Sequence, residues 1–366
     1  MRVPFFDLRV TNPELKRELL AAISRVFDHG KLFLGPEVEE FEEQIAKFVG
    51  TKFALGVSSG SSALYLSLKA CGIGVGDEVI TTPLTWIISS NAIRACGADP
   101  VFADVRDNLN IDPISVEQLI SPRTKAIVPV HFAGHMCDMN ALRSIAKAND
   151  LVIVEDAAQA FGASLNGKKA GSFSIAAGFS MNPMKVMGGY GESGVVVTND
   201  ESIFERLKRL RHAGTTSDPK KIITNYCEEV SLNHKMDTIN AATLLVAFRH
   251  LPERKEIKEA IASRYNRELP PLIGRQVPVH GEIHARYVYP IRSPQRDRLK
   301  SYLEARGVET KIMHEPLVCD APIYRECRGT VLNARKVLSE SLVIPSHEKL
   351  SPEQLTYIIQ LIRNFD

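Results

Sequence analysis

The 366-residue sequence contains no run of about 18 apolar residues, the length that a helix needs to cross a membrane. Its first residues also lack the apolar stretch and the small-residue cleavage site of a secretory signal. The net charge is only +2 and no basic arm stands out, so neither nucleic acid nor a membrane surface is an expected partner. These absences predict a cytoplasmic protein.

Cysteine and tryptophan are scarce. Six cysteines are scattered without a CxxC pair, which argues against a disulfide framework and a zinc site. We therefore expect reduced thiols and no bound metal. The single tryptophan is Trp86. Apolar residues at 44% and charged residues at 24% are typical of a globular protein, and the length predicts about two domains.

Helical and strand patterns alternate over the first 250 residues. In "GPEVEEFEEQIAKFVG" the residues Val38, Phe41, Ile45 and Phe48 recur at steps of three and four, which predicts an amphipathic helix. Short apolar segments predict seven strands, at residues 53–57, 78–81, 100–105, 126–130, 151–154, 175–179 and 195–198. Because these strands are almost wholly apolar and helical patterns separate most of them, they predict an α/β fold with a mainly parallel sheet covered by helices on both faces.

After about residue 250 the pattern changes. A charged helical segment is followed by a proline-rich stretch, a strand at 285–291, a helix at 295–306, another strand and a last helix at 351–364. The sequence thus predicts a large α/β domain over residues 1–250. Residues 251–366 are predicted to form a smaller α+β domain.

Polar residues follow two of the predicted strands. In "GVSSGSSALYL" a strand enters a helix through serines and a glycine, and free amides at a helix N-terminus favour an anion site. Simple helix capping is the alternative. In "LVIVEDAAQA" the strand ends at Glu155 and Asp156, with Gln159 three residues later. A buried carboxylate there needs a cation or hydrogen-bond donors, although Asp156 could instead cap a helix.

A third group follows the strand at 175–179. Ser180 precedes Lys185, which lies between two methionines and opens a loop with four glycines, unusual surroundings for a lysine. An amine, a buried acid, an anion site and an aromatic cover together are what pyridoxal 5'-phosphate requires. Trp86 is the candidate cover, with a structural tryptophan as the alternative.

The stretches "LGPEVEEFE", "GDEVITTPLTW", "PRTKAIVPVHFAG", "VIVEDAAQAFGAS" and "GYGESGVVVTND" follow one another along the chain. With them the sequence resembles the DegT/DnrJ/EryC1/StrS aminotransferases, the sugar-aminotransferase branch of the pyridoxal-phosphate enzymes of fold type I. The resemblance implies a fold-type I transferase of the α/β class, with a mainly parallel, mixed seven-stranded sheet flanked by helices. It also implies transfer of an amino group, most often from L-glutamate, to a keto group of a nucleotide-linked sugar, for surface polysaccharide or related glycan biosynthesis.

The resemblance also implies roles for individual residues. Lys185 would bind the cofactor covalently and later move the proton. Asp156 would pair with the ring nitrogen, Gln159 would contact the ring's hydroxyl side, and Trp86 would stack on the ring. The phosphate would be held by Ser61, Ser62 and Ser180. Asn233 would reach the phosphate of a neighbouring subunit, which implies a homodimer with active sites at the interface.

Some segments depart from the family pattern. Before Lys185 the family commonly has an aromatic residue or a histidine, whereas this chain has Met181 and Asn182. The segment 214–230 also matches poorly, near the place where the family binds the sugar. His131, in "PVHFAG", is a candidate substrate contact, with a packed histidine as the alternative. The opening "VPFFDL" with "HGKLFLGPEVEEFE" resembles members that aminate C3.

Two further functions remain as alternatives. A nucleotide-sugar dehydrogenase would suit the α/β pattern, and "CGIGVGDE" offers Gly72, Gly74 and Gly76. These glycines follow a helix, however, and lack the spacing of a dinucleotide fingerprint, so they predict a helix-to-strand turn. The dehydratase branch of the family has histidine in place of the lysine, which Lys185 argues against. A non-catalytic, cofactor-binding regulator is the second alternative.

Overall fold

A computed structural model of the chain describes residues 1–216 and 226–365. The α-helices are α1 (Pro13–His29), α2 (Pro36–Val49), α3 (Gly60–Ala70), α4 (Ile88–Ala95), α5 (Pro113–Leu119), α6 (Met139–Ala148), α7 (Glu201–Arg211), α8 (Thr238–Arg249), α9 (Leu251–Glu268), α10 (Arg296–Glu304), α11 (Leu332–Glu340) and α12 (Pro352–Arg363). The strands are β1 (Phe53–Val57), β2 (Glu78–Thr81), β3 (Asp99–Phe102), β4 (Thr124–Val128), β5 (Val152–Asp156), β6 (Ser164–Leu165), β7 (Lys168–Lys169), β8 (Ala176–Ser180), β9 (Gly194–Thr198), β10 (Gly274–Arg275), β11 (Glu282–Ile283), β12 (Tyr289–Arg292) and β13 (Ser341–Ile344). Across these described ranges, every helix is too short or too polar to traverse a bilayer.

The central sheet has seven strands in the order β1-β9-β8-β5-β4-β2-β3. Strand β9 runs antiparallel to both of its neighbours, and the other pairs are parallel. The predicted mainly parallel, mixed α/β sheet is therefore confirmed. The predicted strand at 100–105 ends earlier, at Phe102, because the chain then turns and Val105 pairs with Ile111.

Apolar side chains on both faces of the sheet explain why helices cover it on both sides. All residues of β2 and β9 are buried. Helix α3 packs on one face with two apolar stripes: Leu64 and Leu68 join one hydrophobic cluster, and Leu66 joins another. Helix α2 packs with the opposite face through Phe41 and Ile45. Each helix thereby removes an apolar stripe from water.

A second hydrophobic cluster lies in the C-terminal part of the chain. It comprises Val3 and buried residues between 261 and 362, and it surrounds the three-stranded sheet β10-β12-β13. Residues between 317 and 338, in contrast, pack with the main cluster. The predicted boundary at residue 250 falls between α8 and α9, and the two-domain division stays a prediction.

The predicted strand at 285–291 is wrong in its first half, because β12 begins only at Tyr289. Arg286 has a φ of 54°, a left-handed conformation that interrupts an extended run. The N–H groups of Ala285 and Tyr287 instead donate to the carbonyls of Gly134 and Ala133, at 2.9 and 3.1 Å. This pairing with a distant turn fixes the position of Tyr287.

The glycine-rich stretch at residues 72–76 connects α3 to β2. Gly72 and Gly76 have φ values of 81° and 90°, which favour glycine because larger residues are strained there. The predicted helix-to-strand turn is confirmed. A dinucleotide-binding loop would instead follow a strand and open a helix, so this stretch does not support a dehydrogenase.

Candidate active site

A cavity of about 540 Å³ opens where β1, β2, β5 and β8 end. Parallel strands end at a common edge, and ligands of such sheets bind beyond that edge. The volume lies within the usual range of ligand pockets. The cavity is lined by Ser61, Trp86, Asp156, Gln159, Ser180 and Lys185. Six of the residues proposed from the sequence therefore meet in one place.

Lys185 lies in a compact loop after β8. Its backbone N–H donates to the carbonyl of Asn182 at 2.8 Å. A side chain at Gly188 would place its Cβ 2.4 Å from the carbonyl oxygen of Pro183, so this tight turn requires glycine. The lysine Nζ is 4.4 Å from the centroid of the Tyr287 ring. The loop thus presents the amine inside the cavity, with an aromatic face beside it.

Asp156 is 4% exposed and lines the cavity. Its Oδ2 accepts from the Ser89 hydroxyl at 2.7 Å and its Oδ1 from the N–H of Ala158 at 3.1 Å. Burial raises the pKa of Asp156 above its ordinary value, although both donors and the charge of Lys185 act against the rise. A protonated pyridine nitrogen would be a cationic partner for this carboxylate and would favour its ionised form. The acid therefore fits the pyridine end of pyridoxal 5'-phosphate.

The N-terminus of α3 is the candidate anion site at the same cavity. The N–H groups of Gly60 and Ser61 donate to no residue within the two described ranges. A Cβ at Gly60 would lie 2.6 Å from the Cβ of Ser180, so only glycine lets the helix start approach Ser180 this closely. Ser61 and Ser180, which each carry a hydroxyl, also line the cavity. Two amides and two hydroxyls together fit a phosphate group.

Ser62 lies differently from its neighbour Ser61. It is 8% exposed, and its hydroxyl is 2.9 Å from both the Ser58 hydroxyl and Nδ1 of His234. Successive residues on a helix point in different directions, which turns this side chain away from the cavity. The phosphate contact predicted for Ser62 therefore requires correction, because its side chain packs behind the anion site.

Trp86 and Gln159 complete the cavity wall. The Trp86 side chain is 63% exposed and borders the cavity, so its ring is available to a ligand. Gln159 is buried, and its Oε1 accepts from the N–H of Ala133 at 2.8 Å. This bond leaves Nε2 as a donor for a ligand. Both placements are compatible with contacts to a flat, polar ring.

His131 does not line the cavity. It is fully buried, its Nδ1 accepts from the N–H of Cys137 at 3.1 Å, and its Nε2 is 3.0 Å from Oε2 of Glu155. Because Nδ1 is an acceptor, the ring proton lies on Nε2 and is donated to the carboxylate. The prediction of a substrate contact by His131 is wrong, and the alternative of a packed histidine holds.

Asn233 is exposed and lies outside the cavity, with its Oδ1 accepting from the N–H of Lys235 at 3.2 Å. Its predicted contact to a neighbouring subunit stays a prediction. In the segment 214–230, which departs from the family pattern, residues 217–225 lie outside the described residues.

Three residues that the sequence did not suggest also belong to this site. Ser89 donates to Asp156, Tyr287 lies beside the lysine amine, and His314 lines the cavity. Nε2 of His314 is buried without a hydrogen-bond partner among the described residues. Burial and the nearby Lys185 lower the pKa of His314 to about 3. These residues come from distant segments without a local motif, so only the fold reveals them.

Comparison with known proteins places the chain among enzymes. The profile of the DegT/DnrJ/EryC1/StrS aminotransferase family matches residues 13–363. The chain is 39% identical over 372 residues to the dTDP-3-amino-3,4,6-trideoxy-alpha-D-glucose transaminase of Streptomyces venezuelae, covering 100% of this chain and 96% of that protein. It is 36% identical over 373 residues to the pleiotropic regulatory protein of Geobacillus stearothermophilus, covering 100% of this chain and 99% of that protein.

A solved structure agrees with these sequence comparisons. The crystal structure of DesV from S. venezuelae superimposes with a TM-score of 0.93 at 38% identity, covering 99% of this chain and 98% of that chain. Fold, cavity and comparisons agree: the chain belongs to the DegT/DnrJ/EryC1/StrS aminotransferase family, whose aminotransferases depend on pyridoxal 5'-phosphate.

Proposed function

We propose that the chain transfers an amino group from L-glutamate to a keto group of a nucleotide-linked sugar during glycan biosynthesis. The observation on which this depends is the meeting of Lys185, Asp156 and the N-terminus of α3 in one cavity. The S. venezuelae relative, whose name specifies a 3-amino sugar, supports a nucleotide-linked sugar as the substrate and C3 as the aminated carbon.

Each residue has one task in this proposal. Lys185 would bind the cofactor covalently, and Asp156 would pair with its ring nitrogen. Gly60, Ser61 and Ser180 would hold the phosphate through N–H and O–H donors. Trp86 would cover a ring face, and Nε2 of Gln159 would donate to the ring hydroxyl.

When bound, pyridoxal 5'-phosphate supplies an electron sink for the negative charge that remains when a substrate carbon loses its proton. The free amine of Lys185 would act as the base that removes this proton and, in its protonated form, as the acid that returns it. The Tyr287 ring, 4.4 Å from Nζ, stabilises the amine in its protonated form during this transfer. The donor and the sugar react one after the other, so we expect ping-pong kinetics.

We further propose a homodimer with active sites at the interface, in which Asn233 contacts the phosphate held by the partner subunit. Exposed apolar side chains on and after α1 support an interface: Leu20, Phe27 and Phe33 are 58, 63 and 66% exposed. Analytical ultracentrifugation tests this assembly, and a monomeric holoenzyme with full activity would contradict it.

Borohydride reduction of the holoenzyme tests the lysine assignment. The wild-type protein should yield one cofactor adduct at Lys185 by peptide mass mapping, and Lys185→Ala should yield none and lose transamination. Lys208→Ala, on α7 and paired with Glu205 at 2.6 Å, is the matched control and should behave as wild type. An adduct at another lysine would contradict the assignment. Incubation with glutamate and a panel of nucleotide-linked keto sugars then identifies the substrate by product mass.

A second candidate function is a non-catalytic, cofactor-binding regulator, because the G. stearothermophilus relative is named a regulatory protein. A single-turnover reaction distinguishes the two functions. An aminotransferase should lose the visible absorption of its bound cofactor when glutamate is added, whereas a regulator should keep it. We favour the aminotransferase because lysine, acid and anion site are all present in the cavity.

A further inference from the structure

Helix α9 is the charged helix that follows residue 250, and it has no task in the proposed reaction. Lys258 is one of its buried residues and is only 7% exposed. A lysine is rarely buried to this extent, because an ammonium that leaves water needs partners in the protein. The groups around Lys258 therefore explain why a lysine lies there.

The amine of Lys258 donates to two backbone carbonyls from distant segments. One is the carbonyl of Tyr287, at 3.3 Å, and the other is that of Ser346, at 3.2 Å. Within residues 1–216 and 226–365 this amine forms no ion pair, and the nearby carboxylate of Glu348 is bound instead to Arg254 at 3.2 Å. Burial lowers the pKa of Lys258 to about 8, against the opposing effect of Glu348. The side chain thus serves the two carbonyls rather than a carboxylate.

Tyr287 depends on support from outside its own segment. The preceding residue, Arg286, has a left-handed backbone with a φ of 54°, which a residue other than glycine keeps only when the surrounding structure holds it. The N–H of Tyr287 donates to Ala133 at 3.1 Å, and its carbonyl accepts from Lys258. The Arg286 side chain is paired at 2.9 Å with Glu259, the residue after Lys258. Two adjacent residues of α9 thus hold residues 286 and 287.

The same helix also contacts the loop of Lys185. Arg254 lies one turn before Lys258, and its Nη1 is 3.4 Å from the carbonyl oxygen of Gly188 in that loop. The Lys185 amine and the Tyr287 ring, with 4.4 Å between Nζ and the ring centroid, are therefore both connected to α9. The attraction between an ammonium and an aromatic face requires a short distance. A shift of Tyr287 would weaken it.

We propose that Lys258 is a positioning residue, which holds the Tyr287 ring against the amine of Lys185 by binding the Tyr287 carbonyl. Lys258 itself does not line the active-site cavity, so it reaches the amine through Tyr287. This inference rests on the proposed function for the catalytic use of the amine. The contact between ring and amine can nevertheless be measured without the reaction.

Acylation of amines in the cofactor-free protein at pH 7 is the direct test. The Tyr287 ring favours the ammonium form of Lys185, which does not react with an acylating reagent. Tyr287→Leu should therefore raise the acylation rate of Lys185 about fivefold, measured by peptide mass spectrometry relative to Lys208. Lys258→Met should raise this rate about twofold to fivefold. The double variant should show no more than Tyr287→Leu alone, because both changes remove the same interaction.

Lys255→Met is the matched control for Lys258→Met. Lys255 lies on the same helix, and its Nζ donates to the carbonyl of Gly162 at 2.9 Å, outside the active-site cavity. Its replacement should leave the acylation rate of Lys185 unchanged, even where it lowers stability as much as Lys258→Met does. A wild-type rate in Lys258→Met, or effects of Lys258→Met and Tyr287→Leu that multiply, would overturn the proposal.

A second variant keeps the test decisive if Lys258→Met does not fold. Lys258→Gln has amide N–H donors on a shorter side chain, so it can bind one of the two carbonyls but not both. It should raise the acylation rate of Lys185 about twofold, as expected from a partly released ring. A folded Lys258→Gln variant with the wild-type rate would also overturn the proposal.

The half-reaction of the holoenzyme with glutamate provides a further test. In Lys258→Met the single-turnover rate should fall about fivefold while half-saturation by glutamate stays unchanged, because Tyr287 acts on the proton transfer and not on donor binding. A change in half-saturation alone would show that Lys258 affects donor binding, and the proposal would be wrong. A wild-type protein that shows the expected acylation pattern but does not react with glutamate would contradict the proposed function and still support the positioning role.

Discussion

Glu155 and Asp156 are neighbours at the end of β5 and both are buried, yet their carboxylates have opposite surroundings. Consecutive residues of a strand point to opposite faces of the sheet. Glu155 therefore faces the packed interior behind the sheet edge, together with His131, whereas Asp156 faces the cavity.

Glu155 is fully supplied with donors by the protein. Its Oε2 accepts from Nε2 of His131 at 3.0 Å and from the N–H of Gly171 at 2.8 Å. Its Oε1 accepts from the N–H of Phe173 at 2.9 Å and the hydroxyl of Ser174 at 2.7 Å. Burial would raise the pKa of Glu155, but these donors outweigh burial and hold the pKa below its ordinary value.

Among the residues that the structure describes, the carboxylate of Asp156 has two donors, and burial holds its pKa above the ordinary value. The difference between the two acids shows how one strand end can serve both the fold and a ligand. A buried carboxylate whose partners are all in the protein stabilises the fold. A buried carboxylate with too few partners is costly to ionise, because burial removes its water without replacing the lost hydrogen bonds. A cationic ligand offsets this desolvation cost.

The largest expected effect is on catalysis at Asp156. Asp156→Asn should retain bound cofactor but lower kcat by about 10²–10³, because the ring nitrogen loses the negative charge that keeps it protonated. Steady-state kinetics with glutamate, together with the absorption spectrum of the bound cofactor, measure the effect. Glu155→Gln is the adjacent control and should keep most of kcat per folded molecule. An unchanged kcat in Asp156→Asn would show that this carboxylate only caps the turn at Ala158.

The next effect is on stability at Glu155. Glu155→Gln should lower the free energy of unfolding by about 3 kcal/mol, because His131 and two backbone N–H groups lose a charged acceptor. Urea unfolding of the holoenzyme measures the loss. Glu43→Gln, an exposed carboxylate on α2, is the control and should change stability by no more than about 0.5 kcal/mol.

The stabilisation by Glu155 should also depend on pH, and acid unfolding measures that dependence. The pKa of Glu155 is lowered in the folded protein, so its contribution is fully present above the unfolded pKa of about 4.3 and is lost as pH falls through the folded pKa. Glu155→Gln should therefore lose less stability than wild type on acidification below about pH 4.3. Parallel acid-unfolding curves of the two proteins would refute the structural role of this carboxylate.

The smallest expected effect is on the stability of the cofactor-free protein. Its sign at Asp156 is opposite to the sign expected at Glu155. The pKa of Asp156 is raised in the folded protein, so its favourable contribution exists below the unfolded pKa of about 3.9 and is lost as pH rises through the folded pKa. At pH 7 the cofactor-free Asp156→Asn variant should therefore be more stable than wild type, by on the order of 1 kcal/mol. When pyridoxal 5'-phosphate is added, the wild-type protein should become more stable than Asp156→Asn. A less stable cofactor-free variant at pH 7 would show that the protein alone already satisfies Asp156.

His131 and His314 differ in the same way as the two acids, because, in the part of the chain that the structure describes, one has its partners within the protein and the other does not. His131 is held by Glu155 and Cys137, whereas His314 lines the cavity and has an Nε2 without a partner among the described residues. In the sequence His131 follows the predicted strand at 126–130, whereas His314 lies in "KIMHEP" and was not a candidate. The pattern around His131 could not show its direction, because a residue just beyond a strand can face either the sheet edge or the interior.

Much of the fold and part of the site could be predicted. Seven apolar segments, most of them separated by helical periods, were sufficient for a mainly parallel sheet, because side-chain period and apolar content are local properties. The candidate residues Gly60, Ser61, Asp156 and Lys185 lie at or just after strands whose ends must share an edge, so their meeting in one cavity could be predicted. The prediction was wrong for the segment 285–288, where a left-handed Arg286 and a turn at Ala133 replace a strand.

By itself, the sequence determined which residue types follow each strand, and hence the chemistry available at the sheet edge. Only the tertiary structure decided that Ser61 rather than its neighbour Ser62 lines the cavity, and how differently Glu155 and Asp156 are surrounded. It also brought Ser89, Tyr287 and His314 to the site from distant segments. The physical reason is that a side chain's direction and its long-range partners depend on how elements pack, and packing is not encoded in any local pattern.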